Sequence, residues 1–106
     1  MEQPNDKYKI IISGKAKQML TEHAAFLARV SVNAANKLIS SFKEASSSLE
    51  SMPQRCPWFN KEYLPQYKYR SLLFDKRYLI IFQIQDNIVY IDYVIDCRQD
   101  YSWLIN

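Results

Sequence analysis

Two apolar periodicities divide the chain. Between residues 16 and 52 apolar side chains recur every three or four positions, whereas between 69 and 95 they alternate or run together. Ala16, Met19, Leu20, His23, Phe26, Leu27 and Val30 form one stripe, and Ala35, Leu38, Phe42, Ala45, Leu49 and Met52 form a second, as buried faces of two helices require. Ser13 and Ser31 precede the stripes and suit helix N-caps, because a hydroxyl can accept from the first unpaired amides. Pro53 marks the end of the second helix. The short apolar run Tyr8 to Ile12 reads as a strand before the first cap.

The later pattern predicts three strands, Tyr69 to Phe74, Arg77 to Gln85 and Ile88 to Ile95. They are joined by the two-residue turns Asp75-Lys76 and Asp86-Asn87, in which Asp and Asn tolerate the positive φ of tight hairpins. Counting from such turns sets Gln85 opposite Ile88, Gln83 opposite Tyr90, Ile81 opposite Asp92, Phe74 opposite Arg77 and Arg70 opposite Ile81. Side chains alternate across a sheet, so one face collects Tyr69, Leu73, Tyr78, Ile80, Phe82, Ile84, Val89, Ile91, Tyr93 and Ile95. The other collects Arg70, Leu72, Phe74, Arg77, Leu79, Ile81, Gln83, Tyr90, Asp92 and Val94, and by parity Asp96 and Arg98 if the strand runs on. The predicted fold is α+β: a strand, an antiparallel helix hairpin packed on one sheet face, then a three-stranded antiparallel β-meander. The arginine-bearing face is expected to stay open to a ligand.

Composition narrows the chemistry. At 106 residues the chain reads as a single domain, residues 1–106. One glycine excludes a glycine-rich phosphate loop. No apolar run approaches the roughly 20 residues of a membrane span, and a polar start argues against a signal peptide, so a cytoplasmic protein without membrane contact is expected. Cys56 and Cys97 lack the spacing of a zinc site and fit a reducing compartment. Neither metal nor cofactor is implied. The sole histidine, His23, lies on a helix stripe and reads as a core or boundary residue. Trp58, Phe59, Tyr63, Tyr67 and Tyr69 lie around Pro57 and Pro65, and either pack under the fold or stack bases, with packing expected for most. The formal charge of +3 favours a polyanion or an acidic protein only weakly.

The segments Tyr8–Ile12 (YKIII), Leu49–Pro53 (LESMP), Tyr69–Phe74 (YRSLLF), Tyr78–Phe82 (YLIIF) and Val94–Tyr101 (VIDCRQDY), in this order of elements, resemble the RelE/ParE superfamily of bacterial type II toxins. The resemblance covers nearly the whole chain. It implies a small basic toxin paired with a cognate antitoxin, acting in one of two ways. One branch cleaves mRNA in the ribosomal A site; the other poisons DNA gyrase and needs no nuclease site. By position, Arg70, Arg98 and Tyr101 resemble the family's second-strand arginine, the arginine after the last strand and the C-terminal tyrosine. Lys61, Lys68 and Arg77 are the further candidates for RNA or phosphate contact. Guanidinium groups can offer bidentate donors to a pentavalent phosphate, and a phenol can take part in proton transfer.

The presence of these three residues leads to the expectation of a ribosome-dependent endoribonuclease, binding ribosome and mRNA. The alternatives are a gyrase inhibitor and a non-toxic relative that only binds an antitoxin. The chain departs from the cleaving branch in lacking a C-terminal histidine and in placing Asp96 and Cys97 before Arg98. Leu72, Phe74, Leu79 and Ile81 on the open face are the expected seat of an antitoxin segment, or of a second copy in a homodimer when the antitoxin is absent.

Overall fold

Both helices start where a serine can cap them. In the computed structural model, which describes residues 7–99, Ser13 Oγ accepts from the Ala16 amide at 2.9 Å and Ser31 Oγ from that of Ala34 at 3.1 Å. Helix α1 spans Gly14–Ala28 and α2 spans Val32–Ser48. Strand β1 is Lys9–Ile12, β2 Arg70–Phe74, β3 Tyr78–Gln85 and β4 Ile88–Asp96. The four form one sheet in the order β1-β4-β3-β2, with β1 parallel to β4 and the other neighbours antiparallel. Among the described residues no helix is long and apolar enough to cross a membrane.

The helix hairpin covers one sheet face as the stripes require. Met19, Leu38, Phe42 and Leu49 are buried in one cluster with Phe74, Tyr78, Ile80, Phe82, Val89, Ile91 and Val94, and Phe42 meets Phe74 edge-on at 5.8 Å. Three stripe residues escape. Phe26 and Val30 are exposed because α1 outruns the sheet: His23 Nε2 already reaches the Val94 carbonyl, two residues before β4 ends. Met52 lies past the last turn of α2, where its left-handed backbone (φ 49°) swings the side chain outward.

Two local irregularities change the expected register. The β2–β3 loop holds three residues, Asp75, Lys76 and Arg77, with positive φ at the first two. Phe74 therefore pairs with Tyr78 and Arg70 with Phe82, one place from the expected partners. This slip moves the whole of β2 to the opposite parity: Phe74 is buried against α2 while Leu73 is exposed. A bulge beside Ile81 and Phe82 then makes Ile81 pair with Tyr93 and Phe82 with Ile91, leaving Asp92 as the extra residue. Beyond the bulge Val94 and Asp96 share the helix-covered face with Ile80 and Tyr78.

The second face is open only in part: Ile11 and Leu73 are exposed on it, while Ile81 and Ile95 are buried. Residues 53–69 run across it, anchored by hydrogen bonds from Phe59 N to the Tyr69 carbonyl (2.7 Å) and from Ser71 N to the Pro57 carbonyl (3.1 Å). Cys56, Phe59, Leu64 and Tyr69 join the buried cluster, and Ile81 and Ile95 are buried beneath them. The apolar patch expected to receive an antitoxin or a second copy is therefore covered in part by the chain itself, with Leu72 and Leu79 still lining a surface pocket beside exposed Leu73. Of its four residues, Phe74 and Ile81 are buried and Leu72 and Leu79 half-buried.

Candidate functional site

Arg70 stands at the start of β2, where the bridge between Trp58 and Arg70 joins the 53–69 segment to the sheet. Its Nη1 donates to the carbonyls of Cys56 (2.7 Å) and Gln54 (3.1 Å), and its Cζ lies 3.8 Å from the centre of the Trp58 ring. The guanidinium thus clamps the loop that follows α2. Lys68 is exposed nearby, with its Nζ over Tyr69 at 5.4 Å. Among the described residues no carboxylate pairs with either cation: Asp92, expected in the same row, accepts from Gln83 Nε2 at 2.7 Å instead.

Arg98 belongs to the opposite end. Its backbone N and Nε donate to Asp96 Oδ1 at 3.0 and 3.1 Å, and Nη2 to Oδ2 at 2.8 Å. Two side-chain donors on two oxygens make a bidentate pair. The Arg98 hydrogen bond holds the Asp96 carboxyl below its ordinary value against the opposing effect of burial, and raises the arginine in turn. Met19, Glu22, His23, Phe26, Tyr78 and Gln99 complete a cleft around the pair. Arg77 is exposed in the hairpin loop, its carbonyl accepting from Cys97 N at 2.8 Å. Lys61 is exposed with Nζ over Phe59 at 5.4 Å, beside Cys97 and Gln99.

The sequence-predicted residues therefore form two groups, Arg70 with Lys68 and Arg98 with Arg77 and Lys61. Arg70 pairs with Phe82 and Asp96 with Tyr78, four places apart on β3, which is roughly 13 Å at strand spacing. Tyr101 lies outside the described residues. Tyr69, which precedes Arg70 in the chain, keeps its proton: burial first, then the Asp92 charge, pushes it well above its ordinary value. Burial likewise raises both Cys56 and Cys97. Among the described residues no cluster of histidine, cysteine and carboxylate side chains could hold a metal.

Of the aromatic run, Phe59 and Tyr69 pack inside, Tyr63 is half-buried, and Trp58 and Tyr67 are exposed. The sequence holds one sign of this split, the prolines that bend the segment, and they do not tell which rings turn outward.

Comparison with known proteins places this architecture. A family profile described as the ParE toxin of type II toxin-antitoxin system, parDE, matches residues 10–101. A solved structure described as the chromosomal ParDE TA system from P. aeruginosa superposes with a TM-score of 0.68 at 14% identity, covering 84% of this chain and 95% of that one. No curated protein matches. At that identity the superposition speaks for the fold alone, whereas the profile spans most of the chain: it belongs to the ParE toxin family of type II toxin-antitoxin systems.

Proposed function

We propose that this chain is a toxin held in check by a cognate antitoxin, and that it acts in the cytoplasm by binding DNA gyrase rather than by cutting mRNA. The observation that supports this reading is the separation of the two arginines. Stabilising a pentavalent phosphate requires donors preorganised within about 3 Å of the same oxygens. Arg70 and Arg98 lie at sites roughly 13 Å apart along the sheet, with Arg98 engaged by Asp96, so the two cannot meet on one phosphate. A protein-binding toxin needs no convergence of this kind. Its contacts can be spread over a surface, with arginines and aromatics as anchors.

The test sets the two mechanisms side by side. Purified protein is added to a gyrase supercoiling assay and to a translating extract in which mRNA ends are mapped. Inhibited supercoiling with intact mRNA is the expected result, with growth restored by a toxin-resistant gyrase allele. Unaffected supercoiling with cuts in the ribosomal A site would reinstate the nuclease, and silence in both assays would leave a fold that binds antitoxin without killing.

A further inference from the structure

Trp58 and Tyr67 are 43% and 65% exposed, and stand almost at right angles (84°) with ring centres 5.8 Å apart. Their arrangement is built. Tyr67 has a left-handed backbone (φ 58°), which L side chains disfavour, and its N–H is held by Asn60 Oδ1 at 2.8 Å. Arg70 stacks on Trp58, and of its five donors those on Nη1 are used, while Nε and Nη2 donate to nothing among the described residues. Lys68 adds a second exposed cation, and the amides of Gln54 and Gln83 complete a cleft of about 340 Å³. No carboxylate lines it among the described residues.

We propose that this cleft binds a nucleotide, with the base in the corner between Trp58 and Tyr67 and the phosphate on Lys68 and the free edge of Arg70. Flat rings and cations answer the two halves of such a ligand separately. Every base offers a π-face for stacking, and a guanidinium edge and an ammonium suit a phosphate. An acidic peptide would use the cations and leave the rings in water. The site stands independently of the target proposed above.

Calorimetric titration of the full chain with AMP, GMP, adenosine, inorganic phosphate and a short single-stranded oligonucleotide tests it. A mononucleotide should bind at least about tenfold more tightly than adenosine or phosphate alone, since stacking and charge each contribute. Tyr67→Gly is the decisive variant, because it removes the ring and also relieves the positive φ. It should melt no lower than the parent and bind AMP about tenfold more weakly. Lys68→Ala should weaken AMP and leave adenosine unchanged. Equal binding of phosphate and AMP, undiminished AMP binding by Tyr67→Gly, or no mononucleotide binding at millimolar concentration would each overturn the proposal. So would an oligonucleotide that binds where mononucleotides do not.

Discussion

Replacing Arg70 by alanine tests whether that side chain holds the 53–69 segment on the sheet. The substitution removes two hydrogen bonds from a charged donor, to the carbonyls of Cys56 and Gln54, and the stack on Trp58. Bonds to charged groups contribute about 1.5 to 3 kcal/mol each when buried. Here water can reach the freed Gln54 carbonyl, because Gln54 is exposed and Arg70 only half-buried, so the bond to buried Cys56 dominates and the pair together is set at about 1.5 kcal/mol. An exposed cation–π contact adds roughly 0.5 kcal/mol. The expected loss is therefore about 2 kcal/mol, or roughly 8 to 16 °C in Tm for a domain of this size. Urea unfolding followed by circular dichroism measures it, with Arg70→Lys as the companion: charge without the fork should recover less than half. A change within about 0.5 kcal/mol, the range of an ordinary surface substitution, would refute the clamp and return Arg70 to the pool of free functional cations.

Asp96 supplies a pH prediction. Its carboxyl is held below the ordinary value of 3.8 by Arg98, so its contribution is present above that value and is lost as pH falls through the lower folded one. Asp96→Asn should then be less stable than the parent at about pH 7, with the gap closing below about pH 4, in denaturant unfolding across pH. Phe42→Ala, which empties a buried site against Phe74, should cost about 3 to 5 kcal/mol by urea unfolding. The cysteines should separate in a thiol-labelling time course: exposed Cys97 reacts in the native protein, while buried Cys56 waits for unfolding.

Periodicity sufficed for the elements because the helix stripes and strand runs are local patterns that one buried face imposes on consecutive residues. The serine caps at 13 and 31 were equally legible, since a cap is closed by an amide three residues away. The candidate site was legible only as a set of residue types. A single extra residue in the loop at Asp75–Arg77 reversed the parity of β2, and the bulge at Asp92 shifted the pairing of β4. Those two steps parted Asp92 from Arg70 and put Asp96 with its arginine at the helix side of the sheet.

By itself, then, the sequence determined that two capped helices cover one face of a sheet with an antiparallel meander, and which strands and turns carry the arginines. The tertiary structure decided three further matters. It set β1 parallel beside β4, laid residues 53–69 over the face that had looked open, and turned Trp58 and Tyr67 outward while Phe59 and Tyr69 went in. The reason is one of range. Caps and stripes are satisfied within a few residues, but the partner of a β edge and the cover of a sheet face are chosen by competition among distant segments. Each segment's gain depends on a register that one loop residue can reverse.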